Sequence, residues 1–326
     1  MNILVTGGAG YIGSAVTEVL LNQGHNVIVI DDLQAGHRLA VHPEAQFFQI
    51  DLCDKPALEQ LFANHKIDAV VHMAAEALIA ESVTNPRRFF NANVYYGLNL
   101  LEAMLNHGVH KIIFSSTAAV YGEPKIFPID EDAAKQPINS YGESKLMFER
   151  ILDWYNKAYG LQYVCLRYFN AAGASVNFGE HHEPETHLIP LVLDVALGKR
   201  DHIQINGSDY DTPDGTCIRD YIHVSDIAEA HALCLKHLNR VGARAYNLGN
   251  GDGFTVLQII ETCRQITKHP IPALVGPRRQ GDPARLIANP RHICTELNWQ
   301  PRFAKLADII ETAWNWHKLH PNGYES

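Results

Sequence analysis

The stretch YGESK sets a tyrosine, Tyr141, and a lysine, Lys145, four residues apart. On a helix that spacing puts both side chains on one face. Such a pair is either an ordinary turn of a surface helix or an acid/base centre in which an ammonium acts on a phenol. A tyrosine hydroxyl titrates at about 10 in water, so it serves as a base near neutrality only where positive charge favours the phenolate. Spacing alone leaves both readings open.

A second group is GGAGYIG, residues 7–13. Gly7, Gly10 and Gly13 follow the apolar run NILVT and open a helical pattern. Missing side chains there let the backbone turn tightly and approach a pyrophosphate at the positive end of a helix. Asp31 closes the next β-rich run, where a carboxylate can accept hydrogen bonds from an adenosine ribose and repel an extra phosphate. With Asp32 beside it, NAD is favoured over NADP. Asp51, at the end of the third run, could hold the adenine or serve the fold alone.

These residues need elements to position them. Strand patterns at NILVTG, NVIVIDD, QFFQIDL, AVVHMAA, KIIFSST and YVCLRYFN alternate with helical patterns from about Ile12, from Lys55, across Asn91 to His107, and from Tyr141 to Tyr159. Strands apolar on both faces and joined by crossovers predict an α/β fold, a doubly wound parallel sheet with helices on both sides. Ligands on such sheets lie beyond the carboxyl ends of the strands. The second half carries turn signals in NGSDYDTPDGT and GNGDGF and a helical stretch at 308–319. A smaller domain is expected there, with the boundary near Asn170 and the segment around 222–250 returning to the first domain.

Composition bounds the function. The chain has 326 residues, 46% hydrophobic and 19% charged, enough for a large core. Acidic groups exceed basic ones by 9 and no basic run is longer than a pair, which argues against a nucleic-acid partner. The start lacks the pattern of a signal peptide and no apolar run reaches membrane-spanning length, so a cytoplasmic protein with no membrane partner is expected. The six cysteines form no paired spacing, and the 18 histidines show no HExxH; no metal is expected.

The glycine spacing GxxGxxG together with YxxxK resembles the extended branch of the short-chain dehydrogenase/reductase superfamily. HMAA, NANV, FSSTAAVYGEP, YGESKL, LRYFNAAGA, DYDTPDGTCIRDYIHVSD, YNLGNGDGF and RRQGDP narrow the resemblance to the UDP-glucose 4-epimerase family over almost the whole chain. It implies a Rossmann-like NAD-binding domain, residues 1–169, and a nucleotide-sugar-binding α/β domain, residues 170–326. It implies that Tyr141 is the general base, that Lys145 tunes it and holds the nicotinamide ribose, and that Thr117 bridges substrate oxygen and Tyr141. Cofactor contacts are implied for Gly7, Gly10, Tyr11, Ile12, Gly13, Asp31, Asp32, Asp51, Leu52, Met73, Ala74, Ala75, Asn93, Ser115 and Tyr168. Substrate contacts are implied for Asn170, His187, Leu188, Asn206, Arg219, Arg279, Asp282 and Leu286, with the two arginines on the diphosphate.

Dehydratases of this branch carry an Asp-Glu pair after the strand-end threonine for a second proton transfer; here Ala118 and Ala119 stand there. The resemblance therefore implies reversible C4 epimerisation of UDP-galactose and UDP-glucose with tightly held NAD. The alternatives are a 4-epimerase of another UDP-sugar, or a non-catalytic NAD-binding regulator, which commonly loses the tyrosine or the lysine kept here. Ala77 stands where many relatives have a lysine, Asn206 where an aromatic often meets uracil, and His187 where asparagine is frequent. Leu286 is of intermediate bulk where an N-acetyl group is admitted or excluded. The family is usually homodimeric through the helices that here would be those of Asn91 and Tyr141. Met147, Phe148 and Ile151 could serve that contact or the core.

Overall fold

The structure is a computed structural model describing residues 1–279 and 282–324. Its strands are β1 (Asn2–Thr6), β2 (Asn26–Asp31), β3 (Gln46–Gln49), β4 (Ala69–His72), β5 (Lys111–Thr117), β6 (Gln162–Tyr168), β7 (Asn170–Ala172), β8 (Ile203–Asn206), β9 (Ile218–Arg219), β10 (Tyr221–His223), β11 (Ala243–Leu248), β12 (Phe254–Thr255), β13 (Ala273–Gly276) and β14 (Arg285–Leu286). The α-helices are α1 (Tyr11–Asn22), α2 (Lys55–Asn64), α3 (Ile79–Thr84), α4 (Pro86–Phe90), α5 (Tyr96–Asn106), α6 (Ser140–Tyr159), α7 (Leu188–Ala196), α8 (Val224–Val241), α9 (Val256–Thr267), α10 (Arg291–Leu297) and α11 (Leu306–Leu319).

Seven strands form one sheet in the order β11-β6-β5-β4-β1-β2-β3, and every neighbouring pair is parallel. All four residues of β4 are buried, as a strand covered on both faces requires. Alternate residues of β1 supply the two sides. Ile3 and Val5 pack with Ala15, Val16 and Leu20 of α1 and Ile227, Leu235 and Leu238 of α8. Leu4 faces the other way, onto Leu58 and Leu61 of α2, Leu100 and Met104 of α5, and Phe148 and Leu152 of α6. This is the doubly wound arrangement that the strand patterns imply, with β1 and β4 beside each other at the point where the strand order reverses.

The Asn91 to His107 helix is not one regular element. Asn91–Tyr95 forms a π-helical turn, and only Tyr96–Asn106 is α-helical. The extra residue turns the Asn93 side chain inward, where Nδ2 donates to Ser144 Oγ at 3.0 Å and to the Glu76 carbonyl at 3.0 Å, and Oδ1 accepts from Glu76 N at 2.8 Å. Such bulges recur at functional sites.

The second half, irregular in sequence, builds small sheets: β12-β9-β14, β10 with β7, and β13 with β8. A third core holds it, with Ile189 and Leu193 of α7, Ile259 and Ile260 of α9, and Ile309, Ile310 and Trp314 of α11. Each such side chain taken fully out of water contributes about 1.5–3 kcal/mol. α8 and β11 cross back, β11 pairing with β6 along Ala243 to Leu248.

Candidate active site

The glycine-rich turn sits at the carboxyl end of β1. Gly7 has φ +72°, and a Cβ there would lie 2.6 Å from Ala74 N, so only glycine fits between β1 and the chain leaving β4. A Cβ on Gly13 would lie 2.1 Å from the Gly7 carbonyl, which is how the first turn of α1 closes on the strand. Gly10, the residue preceding α1, brings no capping side chain to the helix start. Asp31, at the end of β2, is buried; its carboxylate accepts from Ala9 N at 3.0 Å and Leu33 N at 2.9 Å, holding the glycine turn. Burial raises this carboxyl above its ordinary value against the pull of those amides. Asp32 accepts from Gln34 N and Asp51 from Cys53 N, and Leu52 beside it is buried. Met73 N and Ala74 N both donate to Thr6 Oγ1, at 3.2 and 3.3 Å, fixing the strand end that runs on into Ala75.

Thr117, Ser115 and Tyr168 end β5 and β6, and α6 starts above them. Asn139 caps α6, its side chain accepting from Gly142 N at 2.8 Å, and a Cβ on Gly142 would lie 2.6 Å from the Ala119 carbonyl. The helix thus begins close against the turn after Thr117, which brings the Tyr141 hydroxyl to a hydrogen bond with Thr117. Lys145, one turn on, is 3% exposed; its Nζ donates to the Ser115 carbonyl at 2.9 Å and lies 4.8 Å over the Phe114 ring. Burial raises the Tyr141 phenol, and its bond with Thr117 pulls it back. Burial also drives Lys145 down to about 7. Burial thus works against the charged forms of both Tyr141 and Lys145, and a positive charge on a bound dinucleotide would add to the lysine in favouring the phenolate.

That shift has a consequence for stability. The folded chain releases the Lys145 proton at about 7 and the unfolded chain at 10.5, so between these values the unfolded state binds more protons and stability rises with pH. Urea midpoints of dinucleotide-free protein are expected to climb between about pH 7 and about pH 9.5, with a gain on the order of 2 kcal/mol that Lys145→Met lacks. Parallel pH curves for the two proteins would contradict the assignment.

Beneath the site, Ser116 Oγ donates to Glu149 Oε1 at 2.6 Å, and Arg167 grips both oxygens of Glu149 at 2.9 and 2.6 Å. Arg167 also donates to Tyr121 Oη at 2.9 Å. This pair, joining α6 to β6, was not read from the sequence, because its members are 18 residues apart in different elements. His231 was missed likewise: its Nε2 lies 3.2 Å from Ser115 Oγ, and burial lowers it to about 4.

Arg219 and Leu286 lie in the β12-β9-β14 sheet, with Asp282 three residues before β14. Arg219 lies beside Leu286 in register and forms an ion pair with Asp282. Leu286 packs against Val120, Tyr121 and Leu146, which places it next to the turn after Thr117. Asp220, also unforeseen, accepts from Asn250 N, Gly251 N and Ala288 N at 2.8, 3.0 and 3.0 Å; burial raises it to about 7 against those amides. Asn170 donates through both N and Nδ2 to the Asp220 carbonyl. Arg279 is exposed, and its carbonyl accepts from Asp282 N at 3.3 Å. Gln280 and Gly281 of RRQGDP lie outside the described residues. Asn206 ends β8, next to Gly207, which packs on Arg278. His187 precedes α7 and Leu188 begins it; the His187 Nδ1 is turned to Glu180 and Glu185, so a contact with a nucleotide would fall to its other nitrogen.

The NAD dependent epimerase/dehydratase family model matches residues 3–249. A UDP-glucose 4-epimerase of Halalkalibacterium halodurans is 54% identical over 329 residues, covering 100% of this chain and 98% of that protein. A crystal structure of a UDP-glucose 4-epimerase superposes with a TM-score of 0.98 at 51% identity, covering all of both chains. That of UDP-glucose 4-epimerase from Bifidobacterium longum in complex with NAD+ and UDP gives 0.95 at 38% identity, covering 99% of this chain and 100% of that one. With a glycine turn, a strand-end threonine and a Tyr-Lys helix in one place, the chain belongs to the NAD dependent epimerase/dehydratase family and groups there with the UDP-glucose 4-epimerases.

Proposed function

We propose that this protein interconverts UDP-galactose and UDP-glucose at C4, with NAD held as a resident cofactor. The observation that carries the reading is the Tyr141, Thr117 and Lys145 cluster at the carboxyl ends of β5 and β6, followed by Ala118 and Ala119 where a second proton-transfer pair would stand. The residues fit NAD: α1 begins in glycines without a side-chain cap, Asp31 stands at the end of β2, and Lys145 is a buried ammonium bonded to a backbone carbonyl. Gly7, Gly10, Tyr11, Ile12 and Gly13 would hold the pyrophosphate, Asp31 and Asp32 the ribose, Asp51 and Leu52 the adenine, and Met73, Ala74, Ala75, Asn93, Ser115, Tyr168 and Lys145 the nicotinamide half. When bound, NAD supplies a hydride acceptor that returns what it takes, so it is not consumed.

The chain's own residues supply proton transfer and grip. Tyr141 takes the proton of the sugar 4-hydroxyl and gives it back, and Thr117 positions that oxygen against it. Arg219 and Arg279 grip the diphosphate and Asp282 the uridine ribose; in the present state Asp282 serves as counter-ion to Arg219. Asn170, His187, Leu188, Asn206 and Leu286 line the sugar nucleotide. Firm hold on the diphosphate and slight contact with the hexose let the sugar turn over between the two half-reactions. Residues 1–169 with the segment near 222–250 form the dinucleotide half, and 170–326 the nucleotide-sugar half.

Two copies are proposed to join through the π-helical turn and α6. Tyr95, Met147 and Trp154 expose 54%, 36% and 68% of their surface there, whereas Phe148 is fully buried in the core. A cytoplasmic setting agrees with six cysteines that are all free, and among the described residues no helix is long and apolar enough to cross a membrane. The test is a panel of gluco, galacto and N-acetylated UDP-sugars on protein purified without added nucleotide. Turnover of UDP-galactose with NAD released on denaturation is expected; a need for one NAD per turnover would overturn the cycle.

A further inference from the structure

Outside the Tyr141 site, the irregular segment before α7 gathers a second set of reactive side chains. Glu180, His182, Glu185 and His187 each turn one potential ligand atom inward, and the four atoms lie within 4.8 Å of one another. His187 Nδ1 is 3.0 Å from Glu180 Oε1 and 2.9 Å from Glu185 Oε1. His182 Nδ1 is 3.4 Å from Glu180 Oε1 and 3.5 Å from Glu185 Oε2. In a tetrahedral zinc site, nitrogen and oxygen ligands about 2.0–2.2 Å from the ion stand about 3.3–3.6 Å from each other. The His182 spacings match that edge and exceed a good hydrogen bond.

His182 supplies the independent observation. Its Nδ1 is shut off from solvent and makes no close hydrogen bond: the Glu180 and Glu185 carboxylates, whose pull raises the imidazole, stand 3.4 and 3.5 Å away. A buried polar atom left without a close partner is disfavoured, whereas a lone pair directed at a shared cation is not. The donor set also balances: two neutral imidazoles and two carboxylates offset one divalent charge, and imidazole with carboxylate suits zinc.

We propose that Glu180, His182, Glu185 and His187 form a site for one divalent transition-metal ion, zinc by its donor set. Four protein ligands make it a closed, structural site, with no position left for substrate. What it joins follows from its neighbours. The Tyr11 ring meets His182 edge-on at 6.3 Å, and the Tyr11 hydroxyl donates to the Gly173 carbonyl at 2.7 Å. The ion would therefore fix the loop leading into α7 against the first residue of α1, beside the glycine turn. These residues are spaced 2, 3 and 2 apart on a loop, a pattern unlike the HExxH spacing whose absence underlies the expectation of no metal.

The test uses tag-free, full-length protein carrying its dinucleotide, with zinc chloride as the probe. One zinc per chain after gel filtration, an anomalous scattering peak among the four side chains, and a rise in Tm with zinc are expected. Changes to residues behind metal ligands alone cost 10- to 100-fold in affinity, so H182Q and E185Q are each expected to weaken zinc by about 100-fold or more against a chromophoric chelator. Zinc well below one per chain, a peak elsewhere, or variants that bind like the parent would overturn the site. Should either variant fail to fold, the stoichiometry and the peak position of the parent protein decide. Two protonated imidazoles resting on two carboxylates, the competing arrangement, predicts no uptake.

Discussion

Replacing Tyr141 by phenylalanine is expected to lower kcat by on the order of 10² to 10⁴ while the protein still folds and still carries NAD, because a positioned acid/base group contributes about that much. The phenol ring stays in place; only the oxygen bonded to Thr117 is lost. The positions after Thr117 offer no replacement, since Ala118 and Ala119 stand there, and Lys145 Nζ is directed at the Ser115 carbonyl. KM for the UDP-sugar should change little, because the proposed hold on the diphosphate rests on Arg219 and Arg279 rather than on Tyr141. Single-turnover measurements that follow dinucleotide absorbance separate the chemical step from binding. A variant with near-parental kcat would remove Tyr141 from the reaction.

The second large effect concerns stability. Arg167→Met is expected to destabilise the protein by about 3–5 kcal/mol, since it leaves the Glu149 carboxylate buried without its cation. Glu149 and Arg167 are 8% and 4% exposed, so solvent does little to screen the loss. Changing both, Arg167→Met with Glu149→Leu, should recover most of it, because a buried pair replaced by apolar side chains of like volume is often neutral. Urea denaturation of the single and double variants checks both statements. A double variant no better than the single one would place the cost in the Ser116 and Tyr121 hydroxyls that share the cluster.

The parallel sheet was legible because each strand announces itself locally: NILVT, NVIVID and KIIFSST are short, apolar and separated by helical patterns. Tyr141 and Lys145 were legible for the same reason, being one turn apart on a single helix. What the sequence hid are partners joined only by folding. Asp282 meets Arg219 across 63 residues, Asp220 collects amides from 250, 251 and 288, and the π-helical turn at Asn91–Tyr95 has no local signature in NANVY. The fate of Lys145 was hidden too, since its lowered proton affinity arises from burial rather than from its neighbours in sequence. Spacing indicates which groups share a face; it does not indicate how much water they keep.

The path of α8 and β11 bears on how the protein can be divided. The last strand of the seven-stranded sheet, and the helix lying over α1, come from residues 224–248, after the chain has already built β7, β8, α7 and β9 elsewhere. A cut near residue 169 would leave β6 with bare backbone donors and acceptors along one rim and strip the cover from α1. The fragment would tend to pair with copies of itself, so the dinucleotide half is not a detachable module for grafting.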